Sequence, residues 1–313
     1  MVKNKNKPVI SVLILSYNHF QYLEKCLESV FQNKNEAYLI EIIVLDDGSD
    51  DGTVELLEKI RETSPVNLKL ILKTHGGVEH IARNINELIK LASGDYISFL
   101  ASDDRYTDNR FIEQLDYLES NQNCDAVYAN GINIKSGDDL GFVHPSYMNK
   151  IFMDSTGNKL LQHVKSTVPT LFIQSILVRA QFIKEYEAFD SDLIADDWVF
   201  NIKILENIVK KNKTIKYINK VVFIRNLHVS NTSFNYAVHY KRVEQVAQRY
   251  SKRKKKIMME VVTRGLIRSI ISLELHRFIF YFKKGFKNPL LIITSVISII
   301  IDGFKNKFYQ IHD

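Results

Sequence analysis

The chain has 313 residues, 45% of them hydrophobic, and a formal net charge of +6 at pH 7. That suits one large domain, or one domain with an appendage, around a sizeable core. The two cysteines, Cys26 and Cys124, lie far apart with no ligand spacing, which argues against a disulfide framework or a thiolate metal site and for a reducing compartment. The opening stretch, Met1 to Pro8, is polar and has no apolar secretory run, so a cytoplasmic location is expected.

Val9–Leu15 is a near-continuous apolar run, the pattern of a buried parallel strand. Phe20, Leu23, Leu27, Val30 and Phe31 follow at helical spacing. Ile40–Leu45 reads as a second strand, Thr53 as the cap of a short helix carrying Val54, Leu57 and Ile60, and Leu68–Leu72 as a third strand. A helix is predicted over 79–92 with Ile81, Ile85, Leu88 and Ile89 on one side, then a fourth strand at Tyr96–Leu100. Strand alternating with helix implies right-handed crossovers and a mostly parallel sheet flanked by helices, Rossmann-like in outline. In such sheets ligands bind outside the carboxyl ends of the strands. Here those ends are polar: Ser16-Tyr17-Asn18, Asp46-Asp47-Gly48-Ser49, the Lys73–Gly77 loop, and Ser102-Asp103-Asp104.

The middle is less regular. Ala126–Ala129 is a candidate strand, 137–165 a loop-rich excursion and Phe172–Val178 another apolar run. Trp198–Val209 reads as a helix headed by Asp196 and Asp197, and Val221–Ile224 as a late strand. Then the character changes. Lys252 to Lys256 is a basic run, and Arg264, Arg268, Arg277, Lys283, Lys284 and Lys287 follow among Ile, Leu and Phe. Leu290–Ile301 is apolar but too short for a bilayer span, which needs roughly 20 residues. The acids, by contrast, cluster at 46–51 and 103–108. This asymmetry suggests a catalytic part and a basic tail for a negatively charged partner. An anionic membrane surface is the expected partner, a helical subdomain that packs or dimerises is the alternative, and nucleic acid is disfavoured because no recognition motif accompanies the charge. The oligomeric state is not legible. No internal repeat is visible.

Paired carboxylates at a strand end invite a divalent cation carrying a diphosphate, since hard cations take carboxylate and phosphate oxygens. Their companions sharpen this. Val12 to Asn18, the segment Ile42 to Thr53 (close to "VVDDGSTDGT"), Gly76-Gly77 with Ala82-Arg83-Asn84, Gly94 to Asp104, and Ala195-Asp196-Asp197-Trp198 occur in one order. Together they resemble glycosyltransferase family 2, the inverting family with the GT-A fold, of bacterial surface-polysaccharide type. The resemblance implies a GT-A catalytic domain at 1–240, with a nucleotide-sugar side at 1–105 and an acceptor side at 106–240, and a basic, apolar helical region at 241–313.

It also implies roles. Ser16, Tyr17, Asn18, Asp46, Asp47 and Arg83 would bind the nucleotide, with Tyr17 stacking on the base and Asp47 accepting from its ring N–H. Asp103 and Asp104 would hold the ribose and a metal, Mn2+ or Mg2+, which assists departure of the diphosphate. The sequence departs from the commoner pattern at Ala101, where many relatives carry the first Asp. Which of Asp103 and Asp104 touches the metal is therefore open. Asp197 matches the base that deprotonates the acceptor hydroxyl, with Asp196 beside it. His228, in Arg225 to Ser233, resembles a late loop that closes over the diphosphate. His19, His75, His80 and His144 have no partner visible in the sequence.

The implied activity is transfer of a sugar from a nucleoside-diphosphate donor, UDP expected, to a hydroxyl of a glycan or lipid-linked glycan acceptor, as in O-antigen, capsule or lipopolysaccharide assembly. The implied place is the inner face of the cell membrane, peripherally. A sugar nucleotidyltransferase would want a Gly-rich loop after the first strand, and a nicotinamide-dependent dehydrogenase the same. Ser16-Tyr17-Asn18-His19 is not such a loop. A glycan- or membrane-binding subunit that has lost turnover is the other alternative, and Ala101 is the feature in its favour.

Overall fold

The computed structural model describes residues 7–145, 148, 151–152, 157–168, 171–194, 197–228 and 235–285. The predicted alternation appears as β1 (Val9–Ser16), α1 (Phe20–Phe31), β2 (Leu39–Asp46), α2 (Thr53–Thr63), β3 (Asn67–Leu72), α3 (Ile81–Leu91) and β4 (Tyr96–Ala101). These strands are all parallel, in the order β3-β2-β1-β4. The pleat sends Ile10, Val12 and Ile14 of β1 and Ile40, Ile42 and Val44 of β2 to one side, where they pack on Leu23, Leu27 and Val30 of α1 and on Leu57 of α2. Leu13, Ile43 and Leu45 face the other side, against Ala82, Ile85, Leu88 and Ile89 of α3. Both faces are covered, which is why these strands read as unbroken apolar runs.

Beyond β4 the sheet becomes mixed. A two-residue strand β5 (Arg105–Tyr106) follows, then α4 (Ile112–Ser120), β6 (Cys124–Lys135) and β7 (Asp138–Phe142). Helix α5 (Gly157–Ser166), a short 3-10 turn at Ile173–Ser175, β8 (Leu177–Arg179), α6 (Ala180–Lys184), α7 (Asp197–Lys210) and β9 (Thr214–Asn226) complete the sheet region. The order continues β4-β8-β6-β9-β5, with β8 antiparallel to both neighbours, β6 and β9 parallel, and β7 paired to β6. Three sequence expectations need correcting. The apolar run Phe172–Val178 is divided between the 3-10 turn and β8, the loop-rich 137–165 contains β7 and α5, and the late strand runs thirteen residues rather than four. The expected Thr53 cap also moves by one. Gly52, at φ 90°, is the N-cap residue, and Asp51 Oδ1 accepts from the Thr53 backbone N–H at 3.1 Å.

The chain then turns helical, as expected: α8 (Tyr236–Tyr250), α9 (Lys254–Ile271) and α10 (Leu275–Gly285). Val243, Val246, Ile257, Val262 and Tyr281 from these helices share one apolar cluster with Leu160 and Val164 of α5 and Trp198 and Ile202 of α7. No helix among the described residues is long and apolar enough to cross a membrane. The expected apolar stretch Leu290–Ile301 lies outside the described residues.

A feature unseen in the sequence anchors the amino ends of the strands. Glu41 of β2 is 3% exposed. Its carboxylate accepts from Ser11 Oγ (2.5 Å), Ser93 N (2.5 Å), Ser93 Oγ (2.6 Å) and Gly94 N (3.0 Å), and meets Lys69 Nζ at 3.3 Å. Burial alone would raise its pKa. The hydrogen bonds from Ser11 and Ser93 overcome that and hold it at about 2.

Candidate functional site

The carboxyl ends of β1, β2 and β4 lie side by side, with Ser16 opposite Asp46 and Leu15 opposite Ala101. The ladder runs on past them through Asp47 N–H to Ser16 O at 2.9 Å and Lys73 N–H to Asp46 O at 3.0 Å. The loops after the strands are held by their own polar groups. Asp46 Oδ1 accepts from Gly48 N (3.1 Å) and Ser49 N (2.8 Å), and its Oδ2 accepts from Ser49 Oγ (2.7 Å). Asn18 sits at φ 52°, reversing the chain after Tyr17. Its side chain exchanges hydrogen bonds with Asp50, at 2.9 Å to Oδ1 and 3.0 Å from the amide. Asp46 and Asn18 thus shape the loop that follows β2. Ser16 Oγ is buried without a hydrogen-bond partner among the described residues.

Tyr17, 39% exposed, stacks on His75 with ring centroids 3.9 Å apart and 11° between planes. His75 Nδ1 also lies 2.9 Å from Asp47 Oδ2. Asp47 further accepts from Gly76 N at 3.2 Å and Asn84 Nδ2 at 2.8 Å. Tyr17, Asp47 and the loop after β3 therefore form one flat polar platform. Gly48 makes the close approach possible: at φ +80°, a Cβ there would fall 2.5 Å from the His75 backbone nitrogen. Arg83, exposed on α3, donates from Nε to Ser191 O at 3.3 Å and so faces the segment leading to α7.

The paired acids after β4 part company. Asp104 N–H donates to Ala101 O at 2.9 Å, closing a tight turn. Asp104 is 3% exposed and accepts from Gln174 Nε2 at 3.0 Å and from Asn226 N at 2.9 Å. Burial, reinforced by the neighbouring Asp103 charge, pushes its pKa well above the carboxylate range. Its hydrogen bond to Asn226 pins the end of β9, and two residues on stands His228. There His228 Nε2 meets Asp103 Oδ2 at 3.0 Å, with the Tyr22 ring stacked on the imidazole at 4.4 Å. His19, at the head of α1, completes the group. One ligand atom from each of His19, Asp103 and His228 lies within 4.8 Å of the others.

A carboxylate and imidazoles are donors suited to a divalent first-row cation, so the residues present fit a metal. Of the two adjacent acids, Asp103 is the one that gathers with the two histidines, while Asp104 is buried and engaged by Gln174 and Asn226. Burial lowers the pKa of His19, against the pull of Asp103.

Asp197 opens α7, and Asn201 Nδ2 donates to its carbonyl at 2.7 Å. Asp196 lies outside the described residues, as do positions 229–234 of the His228 loop. Of the histidines without visible partners in the sequence, His19 and His75 acquire them at the strand ends and His144 in the core. His144, fully buried, accepts at Nε2 from Phe172 N at 3.0 Å, and burial takes its pKa to about 3. It is a core residue.

The sequence model of the family "Glycosyl transferase family 2" matches residues 11–178. Among curated proteins the chain is similar to the uncharacterized glycosyltransferase EpsJ of Bacillus subtilis (strain 168), with 28% identity over 198 residues, 62% of this chain and 55% of EpsJ. The chain thus spans about half the length of that relative. Among solved structures it resembles S. aureus TarS 1–349 in complex with UDP-GlcNAc, with a TM-score of 0.58 and 16% identity over 92% of this chain and 81% of that one. It also resembles the mannosyltransferase PcManGT from Pyrobaculum calidifontis in complex with GDP-Man and Mn2+, with a TM-score of 0.56 and 15% identity over 95% and 88%. At these identities the likeness shows the fold, which is the expected GT-A arrangement.

Proposed function

Because the chain belongs to glycosyl transferase family 2, we propose that it is an inverting, metal-dependent transferase that moves a sugar from a nucleoside-diphosphate donor to a glycan hydroxyl. The observation that carries this reading is the meeting of Asp103 with His228 across 125 positions of sequence, between the turn that leads into β5 and the segment just past the end of β9, which pairs with β5. Asp103 and His228 would hold a divalent cation there. When bound, such a cation supplies Lewis-acid stabilisation of the charge on a departing diphosphate.

The chain's own residues do the rest. Tyr17, backed by His75, offers a face for a nucleobase, and Asp47 beside it an acceptor for a ring N–H. UDP is the favoured nucleotide, in keeping with the UDP-GlcNAc bound to TarS. Ser16, at the end of β1, and Arg83, in the first turn of α3, complete the nucleotide set in this reading. Asp197, at the head of α7, takes the proton of the attacking hydroxyl as it leaves, with Asp196 as its neighbour. A general base of this kind contributes roughly 10²–10⁴-fold. The catalytic part would span 1–240, with a nucleotide side at 1–105 and an acceptor side at 106–240.

The acceptor we favour is a bacterial surface glycan on a lipid carrier, because the helical region offers a membrane contact. Ile270, Ile271, Leu273 and Leu275, at the junction of α9 and α10, are 60%, 78%, 90% and 67% exposed. Arg264, Arg268 and Arg277 lie on the same helices, and the run Lys252–Lys256 is exposed. Apolar and basic groups together give the two signals that stable peripheral binding takes. A panel of nucleoside-diphosphate sugars, scored by release of the nucleoside diphosphate in Mn2+, tests the reading. Consumption of one donor class supports it. A chain that consumes none, with and without glycan acceptors, is a binding subunit.

A further inference from the structure

We infer that His19 is a protein ligand of the cation site, and that the resulting pair of imidazoles beside a single carboxylate tunes the site toward Mn2+ and Co2+ and away from Mg2+. The inference rests on the metal reading of Asp103 and His228 above and goes beyond it.

The hydrogen bonds around His19 orient its ring. His19 Nδ1 is 2.7 Å from Ser102 Oγ. The hydroxyl proton of Ser102 is itself directed to Leu15 O at 3.1 Å. With that hydroxyl donating to Leu15 O, Ser102 Oγ accepts from His19, and the inferred tautomer has Nδ1 protonated and the lone pair on Nε2. Ser102 is 0% exposed, so water does not compete for that hydroxyl. A ring nitrogen held as donor by a fixed acceptor, with the other presenting its lone pair, is how metal-ligating histidines are oriented. The backbone holds the ring as well: His19 N–H donates to Thr53 Oγ1 at 3.2 Å. Its lone pair thus belongs to a preset side chain whose ligand atom lies within 4.8 Å of those of Asp103 and His228.

The preference follows from the donor count. Asp104 is engaged by Gln174 and Asn226, so one carboxylate, not two, faces the cation. Imidazole nitrogen binds later first-row ions well and suits Mg2+ poorly, because Mg2+ demands oxygen ligands and gives up water reluctantly.

The test uses the full chain with UDP and each of Mn2+, Co2+ and Mg2+. His19→Asn keeps an amide donor near the Nδ1 position for Ser102 and removes the Nε2 ligand. Titration calorimetry should show wild type binding Mn2+ on the order of 10-fold more tightly than Mg2+. His19→Asn should lose on the order of 10–100-fold for Mn2+ and Co2+ and under about 3-fold for Mg2+. Pulsed EPR of the Mn2+ form should count two coordinated imidazole nitrogens in wild type and one in His19→Asn. One imidazole in wild type, or an unchanged Mn2+/Mg2+ ratio in the variant, overturns the role of His19 and leaves it a positioning partner of Ser102. Wild type that binds no Mn2+ at all overturns the underlying metal reading too. The wild-type nitrogen count stands even if the variant does not fold.

Discussion

Replacing Glu41 by Gln should destabilise the protein by about 3 kcal/mol at pH 7, without touching its chemistry. The carboxylate is almost fully buried and collects hydrogen bonds from Ser11, Ser93 and Gly94 at the amino ends of β1, β2 and β4. A group held at about 2 instead of 4.5 favours the folded state by about 3 kcal/mol once ionised, because a tenfold change in a protonation equilibrium is ~1.4 kcal/mol. Since the folded-state value is depressed, this stability is complete above pH 4.5 and drains away as pH falls toward 2. At ~2.1 cal/mol/K of unfolding entropy per residue, 1 kcal/mol moves the melting temperature of a 313-residue chain by about 1.5 °C, so the variant should melt about 4–5 °C lower at pH 7. By pH 3 the gap should be about half as large. Thermal melts of both proteins at pH 7 and pH 3 measure it. Nucleotide release at 25 °C should stay at the wild-type rate, because Glu41 lies at the opposite strand ends from Asp103. A gap under about 2 °C at pH 7, or one that does not shrink at pH 3, refutes the reasoning.

Other consequences follow from the site. Asp104→Asn sets an amide donor against the Gln174 or Asn226 donor, so it should cost about 1–3 kcal/mol in melting experiments and also weaken Mn2+ binding, by releasing the end of β9. Asp103→Asn should weaken Mn2+ binding while melting like wild type. Asp197→Asn should leave UDP affinity unchanged by calorimetry and reduce turnover roughly 10²–10⁴-fold; normal turnover would move the base elsewhere, with Asp196 next. The double change Ile271→Glu and Leu273→Glu should abolish sedimentation with anionic vesicles, and salt should release wild type only in part because the apolar contact is unscreened. Wild type that stays in the supernatant at low salt would end the membrane proposal. Truncation before Lys252 is a poorer test, since it strips Ile257, Val262 and Tyr281 from the cluster containing Trp198.

The parallel half of the sheet was legible because β1, β2 and β4 are buried on both faces and display unbroken apolar runs. Strand β9 was not. Lys216, Asn219 and Lys220 interrupt its pattern, and only the continuous Val221–Ile224 core showed. The acidic pair after β4 was visible, but its division of labour was not. It depends on Gln174 and Asn226, which are 70 and 122 positions away. The same distance hid His19. Its lone pair is aimed by Ser102, 83 positions on, and nothing in the order of residues pairs them. Glu41 was invisible for a related reason: a single acid in an apolar run gives no sign of the loop at Ser93-Gly94 that wraps it.

In the proposed function Asp103 anchors a cation that assists departure of a nucleoside diphosphate. Its most direct test is Mn2+-dependent release of UDP from UDP-sugars, measured for wild type with and without excess chelator and for Asp103→Asn. Wild type should release UDP slowly even without acceptor, and this release should be lost on chelation and lost in the variant. Release at the full wild-type rate in excess chelator would contradict it.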